Sequence, residues 1–478
     1  MLPLGQALPR RPPARLRAES AVAGTSLFAH GARLPGGGLS PEIPVRALLA
    51  YGFLRAPLAL LELPLFVLLP AFYGREAGLS LALVGLVLFG ARLIDALADP
   101  LIGRTIDRTR GATNYRRWVI VACVPLAAGF TAMLHPPAWS TTGLAVWLAA
   151  GSVITYLAWS TVTIAHQAWG AELGTDPATR VRITGVREAC GLAGVLASAA
   201  LLEPRHASTL SILLAAALLL AAWLIRYAPT PVSATPAVAS DAPGYPTSSE
   251  SEPTDRNAPW RTLFADRAFT RLLAVFMLNG TASALPATLV LFFVADVLGD
   301  ASRAPLFLLI YFAAAALGMP LWIRLGVRVG AKRSWFIGMV ASVLAFAWAF
   351  ALGPGEWLAF GVICGVTGLA LGADLAMPPA LLAAVIAAAG GRGAREGAYF
   401  GVWSLATKLN LALAAGLGLP LISLLGYQPG VAGTVTQALS LAYAALPCFI
   451  KSIAAWLLWR LPNPDLATAG PPNHRMDT

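Results

Sequence analysis

The chain has 478 residues, of which 57% are hydrophobic and only 12% charged, with a formal net charge of +11. Soluble domains carry about 25% charged residues, so a soluble globular protein is excluded. The basic residues sit at the ends of apolar runs rather than in patches, which argues for contact with anionic lipid and against nucleic acid.

Residues 1–45 are rich in Pro, Arg and Gly and lack the apolar core of a signal peptide, so a disordered cytoplasmic arm is expected there. Apolar segments then follow near 47–72, 81–103, 118–137, 142–168, 183–203, 208–226, 268–296, 304–325, 335–353, 357–380, 399–424 and 434–459. Each approaches or exceeds the length of about 20 residues that spans a bilayer as helix. None shows the period-2 alternation of a membrane β-barrel. The sequence therefore predicts an all-α membrane protein with about twelve spans, and the Lys/Arg bias of alternate loops places both termini in the cytoplasm. An inner or plasma membrane location follows from that reading.

Between the sixth and seventh segments, 228–265 is a Pro/Ser/Thr-rich linker. It separates a six-helix bundle over 46–227 from a second over 266–460, with a cytoplasmic tail over 461–478. A faint repeat joins the halves: "PLIGRTIDRTRGATNYRRW" after the second segment and "PLWIRLGVRVGAKRSW" after the eighth. Two parallel six-span halves with a midplane site between them are the build of a major-facilitator transporter. Cys123, Cys190, Cys364 and Cys448 all fall inside apolar runs, so neither a disulfide framework nor a metal site is expected.

The second segment places charge where it is costly. Arg92, Asp95 and Asp99 are spaced i, i+3, i+7 and share one helix face, while Leu86, Leu93, Ile94 and Leu97 fall on the other. A carboxylate at the bilayer centre costs about 2.5–3.5 kcal/mol on insertion scales, so ionisable residues there read as functional. Two carboxylates against one arginine leave a deficit of positive charge that a transported H⁺ or Na⁺ would fill. Lys408, deep in "WSLATKLNLALAAGLGLP", needs a carboxylate partner, and Asp95 or Asp99 is the expected one.

The stretch "RLIDALADPLIGRTIDRTR" resembles the second-helix signature of the glycoside–pentoside–hexuronide:cation symporters, the sodium–melibiose symporter family. "AWGAELGTDPATRVRITGVREACGLAG", "GADLAMPPALLA" and "YFGVWSLATKLNLALAAGLGLPLISLLGY" are similar to its fourth-to-fifth, tenth and eleventh helices, so the resemblance spans roughly residues 47–460. It implies alternating-access symport of a sugar, glycoside or uronide with H⁺ or Na⁺. Asp95 and Asp99 would then bind the cation, Arg187 would contact substrate, and Lys408 would lie close to both sites. The loop "GRTIDRTR" is similar to the superfamily's gating loop, with Asp107 and arginines such as Arg108 pairing across helix ends. The chain departs from the melibiose-type pattern at Ala98, where sodium users commonly have Asn, and at Ala59 and Thr163, where galactoside users have acids. These departures tilt coupling towards H⁺ and count against a galactoside.

Further polar candidates stay open at this level. Ser160 offers a hydroxyl to the cation. Glu62 binds substrate, carries a proton or pairs with Arg187. His166 and Gln167 contact sugar hydroxyls, relay a proton or satisfy a helix contact. Asn279, Thr281 and Ser283 line a cavity or pack helices, and Tyr51, Trp159 and Trp403 stack on a sugar or anchor at the interface. Arg92 shares the charge of the aspartates. The competing reading is an exporter or flippase-like carrier of a lipid or other amphiphile. No cofactor, no resident metal and no catalytic bond-making are expected, and a monomer is expected.

Overall fold

A computed structural model describes residues 43–462 apart from 63, 70–71, 74–78, 110–111, 202–205, 231–260, 391–394 and 425–435. The expected N-terminal arm up to residue 42, most of the linker and the tail from residue 463 lie outside the described residues. Among the described residues there is no strand. The helices are α1 (Val45–Gly52), α2 (Arg55–Leu60), α3 (Leu81–Arg108), α4 (Ala112–Leu134), α5 (Thr141–Leu173), α6 (Pro177–Ala200) and α7 (Ala207–Leu224), followed by α8 (Arg267–Phe292), α9 (Ala304–Val329), α10 (Ala331–Phe346), α11 (Trp357–Ala388), α12 (Glu396–Leu424) and α13 (Leu446–Arg460). Linker residues Arg261–Ala265 form a short helical turn before α8.

Side-chain caps fix several starts. Ser80 accepts the amide hydrogen of Leu83, Ser140 that of Gly143 and Asp176 that of Thr179. Each satisfies one of the amides left open at a helix N-terminus.

Eight helices among the described residues are long and apolar enough to cross a membrane. The remaining expected crossings depart from that profile for identifiable reasons. α3, with 28 residues, and α6, with 24, have the length, but carry the buried charges that lower their hydropathy. α12 has 29 residues and also carries Lys408. The first crossing is one apolar run in the sequence but is broken into α1, α2 and a π-helical turn, Pro64–Leu68. Pro64 has no N–H to give the carbonyl of Leu60, which breaks the ladder there.

α3 and α5 pack on α12, and α6 packs on α9 and α11. The α3–α12 crossing is a backbone contact. A Cβ at Gly103 would overlap the carbonyl of Gly397, and one at Gly401 would stand 2.6 Å from the carbonyl oxygen of Asp99. Only glycine permits this approach, and it brings the charged face of α3 against α12. Leu86, Leu93, Ile94 and Leu97 on the far side of α3 are exposed, as suits a lipid-facing surface.

Candidate cation and substrate site

Asp95 and Asp99 lie one turn apart on α3 and are fully buried. Lys408 Nζ on α12 stands 2.6 Å from Asp95 Oδ2 and 2.7 Å from Asp99 Oδ2. It also donates to Ser160 Oγ on α5 at 2.9 Å, and Ser160 in turn donates to Asp95 Oδ1 at 2.6 Å. Both oxygens of Asp95 are thus engaged. Asp99 is held differently. Its contact to Lys408 lacks hydrogen-bond angles, and its Oδ1 is buried without a hydrogen-bond partner, although Ser404 lies beside it. The Arg92 guanidinium lies 4.9 Å from the centre of the Tyr156 ring. Two carboxylates therefore share the Lys408 ammonium. Ala98 adds no oxygen, and the described residues contain no group of three acidic, His or Cys side chains suited to a metal ion.

Arg187 on α6 is 2% exposed and sits in a second charged group. It pairs with Glu188 Oε1 at 2.7 Å, Glu188 Oε2 lies 3.5 Å from Arg55, and Arg55 pairs with Glu62 at 2.9 Å. Glu62 therefore takes Arg55 as its partner rather than Arg187, because both sit on the broken first crossing, one on either side of Leu60–Leu61. The group sums to zero charge. Tyr51 and His166 lock together beside it: the Tyr51 hydroxyl donates to the His166 carbonyl at 2.7 Å, and His166 Nε2 is 2.9 Å from the Tyr51 carbonyl. With its rings against Tyr51 and Nε2 occupied, His166 serves as a helix–helix contact.

Arg187, Gln167 and Thr184 share a gap with Pro379 of α11 and Phe400 of α12, of about 10 Å³. That is room for about one water, so this part of the interface is shut against a sugar. Ser160, Thr163 and Gln167 lie at i, i+3, i+7 on α5, and this one face connects the lysine cluster to the Arg187 gap. Trp403 is buried and stacked on Phe276 with ring centres 3.8 Å apart, so one of its faces is already covered.

At the end of α3, Asp107 accepts the amide hydrogens of Gly397 and Ala398, both at 2.7 Å. A carboxylate thus caps the first turn of α12, where open amides and the helix dipole favour negative charge. Arg108 is exposed and is not brought into this contact. On the loop before α6, Asp176 is partly buried, which raises its pKa, but hydrogen bonds from Thr179 outweigh that and hold it below the usual carboxylate value.

Sequence reasoning passed over Arg55 and Glu188, and over a second buried pair, Asp374 of α11 with Lys451 of α13 at 2.7 Å. An isolated Asp in "GLALGADLAMPP" and an isolated Lys in "LPCFIKSIAAW" carry the same signal that singled out Lys408.

Long apolar helices packed through glycine, with ion pairs buried where α3 and α5 meet α12, define a polytopic membrane transporter. Residues 50–465 match the family described as MFS/sugar transport protein, and the chain belongs to it. Among curated relatives, the inner membrane symporter YicJ of Escherichia coli (strain K12) is 28% identical over 134 residues, covering 28% of this chain and 29% of its own length. The putative glycoside/cation symporter YagG of the same organism is 26% identical over 138 residues, 29% of this chain and 30% of its own. These matches thus span under a third of either relative. The uncharacterized symporter YjmB of Bacillus subtilis (strain 168) matches 82% of this chain and 86% of its own at 21% identity. Among solved structures, a bacterial homologue of the iron transporter ferroportin in an outward-facing state superposes with TM-score 0.63 at 15% identity, covering 87% of this chain and 98% of that one. The Escherichia coli fucose:proton symporter FucP gives 0.57 at 12% identity, with 87% and 98% covered. These likenesses establish the twelve-helix major-facilitator fold.

Proposed function

We propose that the protein is a cation-coupled symporter of a sugar, glycoside or uronide, working by alternating access between halves 46–227 and 266–460. The observation that carries this reading is Lys408, reaching from α12 to Asp95 and Asp99 on α3. A charged triad split between the halves responds to both ligand charge and helix movement. The names of the relatives, symporters with a glycoside/cation member among them, support the same class and do not favour an amphiphile exporter.

In this reading Asp99 takes the coupling cation and Asp95 with Ser160 positions Lys408. The cation is H⁺, since a proton needs only one carboxylate oxygen on Asp99, whereas a hard metal cation needs several oxygens and Ala98 supplies none. Arg187, with Gln167 and Thr163, contacts substrate once the gap opens; guanidinium donors suit hydroxyls or a uronate carboxylate. Asp107 holds the cytoplasmic side closed, with both termini on that side of the cell membrane. The protein acts as a monomer on a small-molecule substrate and makes no covalent bond.

The test is uptake into proteoliposomes under an imposed pH or Na⁺ gradient, compared with substrate exchange without a gradient. Asp99→Asn should abolish concentration of substrate while exchange survives. Wild-type accumulation by that variant would overturn the coupling assignment.

A further inference from the structure

The second ion pair borders a partly open cavity of about 290 Å³ lined by residues of α8, α9, α10, α11 and α13, with none from α3 or α12 in its wall. Most of its wall is apolar, from Phe307, Phe312, Phe346, Val343 and Leu371 among others. The space is many times that of the gap beside Arg187 and has room for a guest far larger than a water.

The polar part of the wall is specific. Asp374 Oδ1 accepts from Trp335 Nε1 at 2.8 Å and Asn279 Nδ2 at 3.2 Å, while Oδ2 accepts from Lys451 at 2.7 Å. Lys451 donates a second proton to Ser283 at 3.0 Å. An ammonium has three donors, and the third has no acceptor among the described residues. Lys451 itself lines the cavity. Opposite chemistry is present too. Pro286 interrupts α8 and has no N–H, so the carbonyl of Ala282, four residues earlier, lacks its helical donor. Both residues line the same cavity.

We propose that this cavity binds a neutral amphiphile drawn from the bilayer, a short apolar body ending in a hydroxyl. The hydroxyl accepts from Lys451 and donates to the Ala282 carbonyl, which a carboxylate or ammonium cannot both do. Charge gives the same answer. Lys451 and Asp374 already cancel, so an ionic guest would bring an uncompensated charge into the membrane interior. A sugar is excluded here, since most of its hydroxyls would face Phe, Val and Leu without partners. Val343 borders both this cavity and an exposed groove between α10 and α13 lined by Leu344 and Trp456, so the two spaces are one side chain apart. α9 and α11 touch both this cavity and α6 of the other half, so an occupant bears on the helices that must slide during transport.

The experiment uses the full chain in lipid nanodiscs and an eight-carbon alcohol carrying a photoreactive diazirine, with adducts mapped by peptide mass. Adducts are expected on cavity residues such as Tyr311, Thr367 and Tyr443. Excess octan-1-ol should reduce them about tenfold at a concentration near nine times its Kd, the factor 1 + [L]/Kd. Octanoate, held well above its pKa, and octylammonium should leave them unchanged. Ala287→Trp, which adds bulk to the cavity wall and changes neither residue of the ion pair, should remove these adducts while those on lipid-facing Trp456 persist. Adducts confined to the lipid-facing surface, equal competition by all three head groups, or cavity adducts that survive Ala287→Trp would each overturn the proposal. If Ala287→Trp fails to fold, the three-way competition on the wild type decides alone.

Discussion

Asp107, the penultimate residue of α3, accepts the amide hydrogen of Gly397 at 2.7 Å across 290 residues of chain. The same two helices carry Asp99, about two turns deeper, and Lys408, about three turns deeper. One rigid crossing therefore holds both an end clamp and the charged triad, and a change at either is felt by the other. Asp107→Ala removes a cap worth about 1 kcal/mol, enough to shift a closed–open equilibrium about fivefold. The expected outcome is faster labelling of Ser404→Cys by a membrane-impermeant maleimide added from the cytoplasmic face. Unchanged labelling would show that the cap does not govern closure.

The glycine contact makes a separate prediction. A Cβ at Gly401 would stand 2.6 Å from the carbonyl oxygen of Asp99, a backbone atom that cannot swing away. Gly401→Val should keep α3 and α12 apart while leaving every charge in place. Transport is expected to fall to background, with the same rise in cytoplasmic labelling and little change in expression. Normal transport by this variant would mean that the α3–α12 approach is not needed in the working cycle.

Lys408 pairs with two buried carboxylates, Asp95 and Asp99. Lys408→Met should destabilise the protein by about 3–5 kcal/mol, the usual cost of leaving buried charge unpaired. Adding Asp95→Asn to Lys408→Met removes one of the stranded charges and should recover part of that loss. Thermal unfolding in detergent would measure both, and a double variant no more stable than the single one would contradict the pairing.

Much of this triad was legible in the sequence because ionisable residues in apolar runs are rare enough to be informative one at a time. Partner choice was less legible. Glu62 meets Arg55 rather than Arg187 because the two lie seven residues apart on the first crossing and share one face, a spacing that hydropathy does not record. The resemblance to a gating loop groups Arg108 with Asp107, yet neighbours in a helix point about 100° apart, and it is Asp107 that accepts the amides of Gly397 and Ala398. Asp374 and Lys451 gave the same signal as Lys408 but lie 77 residues apart, and nothing local joins them. The glycine contact between α3 and α12 was invisible for the same reason: glycines are frequent in membrane helices, and only the packing distinguishes the few that touch.

Asp176 supplies a pH dependence outside the membrane. Its carboxylate caps α6 and accepts from the Thr179 amide at 2.9 Å and the Thr179 hydroxyl at 2.6 Å. Partial burial opposes the charged form, but these bonds prevail and the pKa is depressed. A group with a lowered folded-state pKa stabilises above its unfolded value, about 3.9, and loses that contribution as pH falls through the folded value. Wild type and Asp176→Asn should therefore differ most in stability near neutrality and converge in acid. A gap that stays constant with pH would assign the difference to shape rather than charge.

The substrate assignment of Arg187 is tested against its neighbours, because any single change there also unbalances charge. Arg187→Ala leaves Glu62 and Glu188 facing Arg55 alone, so lost binding could reflect local disorder. Arg187→Gln combined with Glu188→Gln restores neutrality and retains polar side chains of similar size. Arg55 then keeps its 2.9 Å pair with Glu62. The double variant is expected to fold with near wild-type stability yet lose the thermal stabilisation that a sugar or uronide ligand gives the wild type. Glu188→Gln alone frees the Arg187 guanidinium from its 2.7 Å partner and should keep binding, with a preference shifted towards uronates, whose carboxylate replaces the missing charge. Full binding by the double variant would remove Arg187 from the substrate site and leave it as a strut between α6 and the first crossing.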